Sequence, residues 1–450
     1  MTLAYVATAI ALITALHFSL RLPRLKVLPR GIDAQFHLLC SSRFHRGRAP
    51  KTVGKFVVGD KYTHPPLLHF LLSGFPERRR PQALFLLGVV ADYSLALAVY
   101  FVALQFVPTP YALVASLIYC VTPASFIQST SESARPLGAL WYCLTILLLP
   151  SQSIIWMACA AVTTTLTLLS HKMATQTLFF TCLILSPFLF TANPLFPLPL
   201  VFGFGLALLL TKGGYLNVLA DHIAFITFHL RYGSWNKKRK LPGSPKQLVK
   251  LNPYFFLPLL GFWISPQMFL SGSILMFAWY ASVLVIFFVW FWGDSERYLM
   301  YSAVPTSILV AITLNVGANP LFLIPPLFGS GAMILRNSRV FFKRDVLPDY
   351  TKIEVTQDAV TLVKPSSLTY VSARNIKGRI LCGGGNATAL KFELEILPKI
   401  MSTNPHVLLK DYHLTYALLG PKNRDYIEPI EDNFEFAIKT NGYTLYKRKQ

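Results

Sequence analysis

The chain has 450 residues, of which 53% are hydrophobic and 14% are charged, and it carries a net charge of +22. This composition lies outside the usual range of soluble enzymes and predicts a mainly α-helical, polytopic membrane protein. Each basic residue near an anionic membrane surface contributes about 1 kcal/mol, so the excess charge predicts contact with anionic lipid headgroups and argues against nucleic acid. The six cysteines are scattered and show neither a disulfide framework nor a metal-binding spacing.

The first apolar run, Leu3 to Leu20, predicts a retained membrane span, because basic residues follow it where a signal peptide would have its cleavage site. The next segment, 21–80, is crowded with arginine and lysine. Within it, apolar residues recur at helical spacing over Ala34 to Phe44 and over Pro65 to Phe75. These two stretches predict helices that lie in the membrane interface.

Ten further apolar runs predict membrane helices, and together with the first they give an estimate of about ten to twelve spans. They are Ala83 to Phe106, Tyr111 to Thr122, Leu137 to Leu149, Ile154 to Leu169, Thr175 to Phe190, Pro197 to Leu210, Pro253 to Trp263, Ile274 to Trp292, Tyr301 to Val316 and Leu321 to Leu335. The loop 212–252 interrupts them with an amphipathic stretch, Tyr215 to Tyr232. An alternating count puts the loops 21–80 and 212–252 on one face of the membrane, although the positive-inside rule favours a cytoplasmic position for basic loops.

The character of the sequence changes after Leu335, where short alternating or apolar runs predict strands. They are Ile353 to Val363, Gly378 to Cys382, Leu390 to Ile396, Leu414 to Leu419 and Tyr443 to Lys447. The chain is therefore predicted to divide into a transmembrane catalytic bundle, 1–335, and a small soluble α/β domain, 336–450.

Asp33 stands where the first span ends and the first interfacial helix begins. As a helix N-cap it would contribute about 1 kcal/mol to stability. Arg30, Arg43 and Arg46 surround it in sequence. They would keep the carboxylate ionised, as a general base requires, and the two roles do not exclude each other.

A second motif, Asp60-Lys-Tyr-Thr-His-Pro-Pro-Leu-Leu68, precedes the second span and contains Tyr62 and His64. The order of Asp33, an interfacial helix and this motif resembles the integral-membrane GT-C glycosyltransferases, in particular their protein-mannosyltransferase-like and aminoarabinose-transferase-like branches. In those families the first external loop holds a catalytic aspartate and a Pro-Pro-Leu segment.

Only four formal charges lie between Pro81 and Leu210, namely Asp92, Glu132, Arg135 and Lys172. An ionisable residue near an apolar segment costs free energy, so the residues that occur there are candidates for a functional role. The segment Ser131 to Leu137, which holds Glu132 and Arg135, is similar to the second external loop of the same families. Its alternative interpretation is a helix-start ion pair worth a few tenths of a kcal/mol.

Asp294-Ser-Glu-Arg-Tyr298 resembles the Arg-Tyr element that begins a late span in these families. Arg297 can bind a phosphate through two hydrogen bonds, although an anchoring pair at the membrane surface would have the same sequence. Lys172, between the fifth and sixth runs, is a further candidate for phosphate contact.

The resemblance implies a hexosyl- or pentosyltransferase that moves a sugar from a polyprenyl-phosphate donor to a lipid, glycan or protein acceptor, with inversion. Asp33 would be the general base, and the donor phosphate would be bound by Arg297, Lys172 and Arg135. The acceptor or metal side would hold His64, Glu132, Tyr62 and Asp60. The resemblance also implies an extracytoplasmic active face, in the periplasm, at the cell exterior or in a lumen.

His64 and Glu132 are the candidate ligands for a divalent cation such as Mg, Mn or Zn. The protein mannosyltransferases have an adjacent acidic pair where this chain has a lone Asp33, which argues against that branch and weakens the metal assignment. An alternative function is a lipid or solute transporter whose charged residues line a membrane path, and a noncatalytic scaffold is a third.

Overall fold

The computed structural model describes residues 3–28, 31–45, 48–232, 244–288, 295–341, 347–383 and 385–449. The chain divides into two compact units. The helical unit comprises Met1–Leu28, Gln82–Leu216 and His229–Lys343, and the sheet unit comprises Pro29–Pro81, Asn217–Phe228 and Arg344–Gln450. The sheet unit thus contains most of the first external loop, residues 21–80, together with the C-terminal residues. The sequence had grouped that loop with the membrane bundle.

Helices dominate the chain up to residue 341, and most of the strands come after it. The helices are α1 Leu3–Arg21, α2 Ile32–Ser41, α3 Leu67–Ser73, α4 Arg80–Ala103, α5 Thr109–Val121, α6 Pro123–Ser129, α7 Arg135–Leu148, α8 Ile154–Ser170, α9 Lys172–Ala192, α10 Pro197–Leu210, α11 Tyr215–Tyr232, α12 Pro245–Leu251, α13 Leu257–Ile264, α14 Pro266–Phe288, α15 Ala303–Asn315, α16 Ile324–Phe341, α17 Thr369–Asn375, α18 Ala387–Lys391, α19 Leu397–Thr403 and α20 Val407–Lys410. The strands are β1 Phe56–Val58, β2 Val360–Lys364, β3 Arg379–Cys382, β4 Leu414–Leu419, β5 Phe434–Thr440 and β6 Tyr443–Arg448.

The predicted polytopic helical membrane fold is confirmed, but fewer helices than estimated meet the criteria for a span. In the described part of the chain, four are long and apolar enough, and up to six if each of two bent pairs is one span. The four are Leu3–Val27, Glu77–Ala103, Lys172–Ala192 and Arg297–Asn315. The predicted apolar runs do form helices, but several are short. One bent pair is α5 with α6, since Pro123 starts α6 at an angle of 55° to α5.

The two helices predicted in the first external loop are present as α2 and α3, and α11 spans the predicted amphipathic stretch. Part of the loop that follows α11, residues 233–243, lies outside the described residues. Between α2 and α3 the chain forms β1, which the sequence did not predict. A strand of three residues is too short to show an alternating pattern.

The sheet has the strand order β1-β3-β2-β4-β6-β5. Its first four strands are parallel, and β6 and β5 are antiparallel to their neighbours. Phe56 of β1 pairs with Ile380 of β3, and Val58 pairs with Cys382. The first external loop therefore supplies an edge strand to a sheet whose other strands come from residues after 359.

Besides β1, the strand predictions differ from the structure in three places, of which the first is Ile353 to Val363, where the strand begins only at Val360. The segment Leu390 to Ile396 is helical, because the Asn386 side chain accepts a hydrogen bond from the backbone N–H of Ala389 at 3.0 Å and so caps α18. Strand β5 was missed, although the Asn441-Gly442 turn that joins it to β6 is a strong hairpin signal. Both turn residues have left-handed φ angles, 48° and 83°.

Each face of the sheet has its own hydrophobic core. On one face, α2 contributes Phe36, Leu39 and Cys40, which pack with Phe56 of β1 and Ile380 of β3. The other core contains Leu362, Leu381, Phe392, Leu397 and Leu414. Packing of α2 on the sheet fixes the helix that carries Asp33.

Phe56→Ala is expected to destabilise the sheet unit by about 3–5 kcal/mol, because the Phe56 side chain is fully buried between α2 and the sheet. Hydrogen–deuterium exchange of peptides covering β3 and β4 measures this as faster exchange. The control is Phe436→Ala on β5, where the ring is 63% exposed. Equal exchange in the two variants would contradict the role given to β1.

Candidate functional site

Asp33 lies in the first turn of α2 and is exposed. The N-cap position belongs to Gly31, whose φ of 85° is left-handed, so Asp33 is not the cap that the sequence allowed. A carboxylate in a first turn is stabilised by the positive end of the helix dipole. Burial, and then the Asp33 charge, raises the pKa of Tyr370 on α17. Asp33 therefore lies close to Tyr370.

One turn after Asp33, His37 belongs to a hydrogen-bonded chain of side chains. The Tyr62 hydroxyl and His69 Nδ1 are 2.6 Å apart, and His69 Nε2 and His37 Nδ1 are 2.8 Å apart. His69 is 1% exposed. Burial lowers the pKa of His69 well below its usual value, and the charges of His37 and His64 lower it further. The sequence did not indicate a role for His37 or His69. Its one local signal was the i, i+4 spacing of Asp33 and His37, which puts these two residues on the same face of a helix.

His64 is held against the glycine-rich run that follows β3. Its ring lies 4.4 Å from that of Phe36, and its Nε2 is 3.1 Å from the carbonyl oxygen of Gly385. The Asn386 side chain donates to the carbonyls of Gly59 and Lys61 at 2.8 and 3.0 Å. Asn386 thus supports the segment that precedes His64. Asn386 begins an N-glycosylation acceptor pattern, Asn-Ala-Thr, but it is only 3% exposed and so inaccessible in the folded chain.

Asp60 and Tyr62 have contacts that hold this segment in place. Asp60 accepts hydrogen bonds from the backbone N–H groups of Gly54, Lys55 and Phe56, at 2.9 to 3.1 Å. Tyr62 is 8% exposed and packs in the core beneath α2. These contacts give both residues a structural role, and their contact with an acceptor or a metal stays a prediction.

In the helical unit, a buried ion pair joins the end of α1 to the middle of α4. Arg21 and Asp92 are 2.7 Å apart, with side chains that are 0% and 4% exposed. Arg21 also donates to Ser129 Oγ at 2.9 Å, and Asp92 accepts hydrogen bonds from Tyr119 and Ser125 at 2.6 and 2.7 Å. The pair therefore ties four helices together and accounts for one of the isolated charges in the apolar region.

Glu132 forms the second buried ion pair, with Arg24 at 3.0 Å. Its side chain is buried, and its backbone has a φ of 48°. A non-glycine residue in this left-handed region costs about 1–3 kcal/mol and persists only where the surroundings hold it. Arg24, which the sequence treated as part of a basic loop, thus positions the loop between α6 and α7.

The three predicted phosphate-binding residues come from elements that contact one another within the helical unit. Arg135 is the first residue of α7, and Lys172 is the first residue of α9. Near these starts the helices touch, because a Cβ on Gly138 would lie 2.8 Å from the Cβ of His171. All three basic side chains are half-buried.

Arg297 lies in a helical turn, Ser295–Ser302, that packs on both helices. The Tyr298 hydroxyl donates to the Gln176 side chain of α9 at 2.8 Å, and the rings of Tyr301 and Tyr142 of α7 are 5.0 Å apart. Asp294, which begins the predicted motif, lies outside the described residues. The helical turn that holds the predicted Arg-Tyr element thus packs against both α7 and α9.

The candidate metal ligands do not fit a metal ion. In the part of the chain that the structure describes, no three His, Cys, Asp or Glu side chains are grouped closely enough to hold one. Glu132 is bonded to Arg24, and His64 to the Gly385 carbonyl. These partners occupy atoms that the predicted coordination would need.

No family model and no curated protein matches the sequence. Solved structures do match. ArnT from Cupriavidus metallidurans bound to undecaprenyl phosphate has a TM-score of 0.63 at 13% identity, with 99% of this chain and 98% of that chain covered. An oligosaccharyltransferase from Archaeoglobus fulgidus has a TM-score of 0.59 at 13% identity, covering 99% and 74%.

The mycobacterial arabinofuranosyltransferase AftD has a TM-score of 0.52 at 11% identity, covering 100% of this chain and 40% of that chain. ArnT is an aminoarabinose transferase, and all three neighbours are GT-C enzymes. The chain has the GT-C fold, and the resemblance inferred from the order of the motifs is confirmed at that level.

Asp92→Asn is expected to lower the stability of the helical unit by about 3–5 kcal/mol, because it leaves Arg21 as a buried charge without its counter-ion. The double variant Arg21→Met with Asp92→Leu should be less damaging than Asp92→Asn alone. Thermal unfolding measures both of these and the single variants Arg21→Met and Asp92→Leu. The control is Val90→Ala on the same helix, where the side chain is half exposed. Additive effects of the two substitutions would contradict the direct pairing.

Proposed function

We propose that the protein is a membrane glycosyltransferase that moves a hexose or pentose from a polyprenyl-phosphate donor to a lipid, glycan or protein acceptor. The observation that carries the proposal is that Arg135, Lys172 and Arg297 stand on elements that contact one another, in a part of the sequence with few other charges. The GT-C fold, shared with a protein bound to undecaprenyl phosphate, supports it.

The three basic residues suit a phosphate because of where they stand on their helices. Arg135 and Lys172 occupy the first positions of α7 and α9, where the helix dipole is positive and a cation is unfavourable by about 0.3–1 kcal/mol. A bound anion would offset both the dipoles and the cations. Arg297 adds a planar guanidinium that can bind a phosphate through two hydrogen bonds.

The proposed reaction is a single displacement at the anomeric carbon. The acceptor hydroxyl oxygen forms the new bond to this carbon while the bond from carbon to the phosphate oxygen breaks, which inverts the configuration. The hydroxyl proton passes to the carboxylate of Asp33, and the electron pair leaves with the polyprenyl phosphate. Arg135, Lys172 and Arg297 stabilise the charge that develops on this leaving group.

Asp33 is the proposed base because its carboxylate is exposed at the start of α2. His64, fixed by Gly385, serves the acceptor side. The reaction is assigned to the extracytoplasmic face, and no step in it requires a metal ion. In the alternative function, a transporter, charged residues would line a membrane path. Arg21 and Asp92 do not fit that role, because they are buried and bonded to each other.

Asp33→Asn is expected to lower the rate of sugar transfer by about 10²–10⁴-fold, because the amide cannot accept the acceptor proton. The assay follows transfer from a panel of polyprenyl-phosphate hexoses and pentoses in membranes that contain the protein. Asp358→Asn, at an exposed turn of the sheet unit, is the matched control. Full activity of Asp33→Asn would remove Asp33 as the base.

Arg297→Gln and Lys172→Gln are each expected to weaken binding of undecaprenyl phosphate about tenfold, which corresponds to about 1.4 kcal/mol for a lost charge-assisted contact. Binding to the purified protein in nanodiscs of neutral lipid measures the effect. Lys250→Gln is the control, since Lys250 is an exposed lysine of the same unit. If this control weakens binding equally, the attraction is general and the proposed phosphate site is wrong.

A further inference from the structure

The hydrogen-bonded side chains of Tyr62, His69 and His37 take no part in the proposed reaction. His37, at the end of this hydrogen-bonded chain, nevertheless lies one helical turn from Asp33. Tyr62 and His69 are both buried in the core that α2 forms with the sheet. Their hydrogen bonds, at 2.6 and 2.8 Å, use both ring nitrogens of His69. Such a ring has only two neutral tautomers, so the direction of the whole chain depends on which nitrogen has the proton.

The direction follows from the Tyr62 hydroxyl. Burial raises the pKa of Tyr62 well above its usual value, so the phenol keeps its proton. In the described residues this hydroxyl has no hydrogen-bond partner besides His69 Nδ1. The hydroxyl must therefore donate to Nδ1, since otherwise a buried donor would be left unpaired at a cost of about 1–3 kcal/mol.

The same reasoning extends to the two histidines. With Nδ1 accepting, neutral His69 has its proton on Nε2 and donates it to His37 Nδ1. His37 Nδ1 is then an acceptor, and the proton of neutral His37 is on Nε2. A second proton on His37 would have to occupy Nδ1, which would displace the proton donated by His69 and reverse its bond with Tyr62.

We propose that Tyr62 and His69 act as positioning residues that fix the tautomer of His37 and keep it neutral beside Asp33. Asp33 and His37 are four residues apart on α2 and share a helix face. A neutral neighbour leaves the Asp33 carboxylate a stronger base than a cationic one would. This last consequence rests on the proposed function, whereas the tautomer of His37 does not.

Other titratable groups also surround the chain and affect its pH dependence. On and just after α2 they are Asp33, Cys40 and Arg43. Before α3 they are Tyr62 and His64, and within α3 it is His69. On α17 they are Tyr370 and Arg374. His64 lies 6.4 Å from His69 between ring centres, so its protonation also opposes a charge on His69.

The experiment uses NMR of the full-length protein with ¹⁵N- and ¹³C-labelled histidine, with His37 and His69 assigned from His37→Gln and His69→Gln spectra. In the unmodified protein, ¹⁵N shifts should show both rings neutral at pH 7, with the proton on Nε2. In Tyr62→Phe, the titration midpoint of His37 should rise by about one pH unit, because Nδ1 of His69 no longer has its donor. Tyr350→Phe is the control, since Tyr350 packs against the same core and bonds Ser372 instead.

Each outcome decides the inference. A His69 proton on Nδ1 in the unmodified protein overturns it, and this measurement needs no variant to fold. An unchanged His37 titration in Tyr62→Phe, or an equal change in Tyr350→Phe, also overturns it.

Sugar transfer provides a separate readout of the consequence for Asp33. Tyr62→Phe should lose about three- to tenfold more activity at pH 6.5 than at pH 8.5, since His37 gains charge at the lower pH. Inactivity of this variant at both pH values, or an unchanged pH profile, contradicts the link to Asp33. Full activity of Asp33→Asn would remove the proposed base while the NMR result still decides the tautomer.

Discussion

The pairing of β1 with β3 is the constraint on which the sheet unit depends. It attaches the first external loop to strands that lie more than 300 residues later, and Lys55 adds a hydrogen bond to the Ile376 carbonyl at 2.7 Å. With β1 fixed, Phe56 completes the core on which α2 packs. The Asp33 carboxylate, the histidine chain and the His64 segment all depend on the elements held in this way. The strand pairing thus gives this loop a fixed place in the sheet unit.

The helical unit shows a different use of charge. In an apolar environment an isolated ion costs several kcal/mol, so each buried charge needs a partner. Arg21 with Asp92 and Arg24 with Glu132 meet this requirement within the protein. Arg135, Lys172 and Arg297 differ from them, because two of the three stand at positive helix ends. The two ion pairs are therefore structural, whereas we propose an anionic ligand for the other three basic residues.

Predictions from sequence succeeded where the signal was local. Apolar runs gave the positions of the helices, and strands β3, β4 and β6 were predicted because their patterns are continuous. The prediction failed at Leu390 to Ile396, where alternation favoured a strand but the Asn386 cap and the packing of Phe392 and Leu397 favoured a helix. At Asp60 the sequence did not indicate that the carboxylate satisfies backbone donors of the neighbouring turn. An acid in a loop looks the same in sequence whether it binds a substrate or its own backbone.

The sequence by itself determined the membrane class, the positions of most helices, the order of the motifs and the candidate residues, because hydropathy and periodicity are properties of neighbouring residues. The tertiary structure alone decided the place of β1 in the sheet, the partner of Glu132 and the chain from Tyr62 to His37. The partners Arg24 and Glu132 are 108 residues apart, and His37 and His69 are 32 apart. Contacts at such separations depend on how helices and strands pack, and no local pattern encodes them.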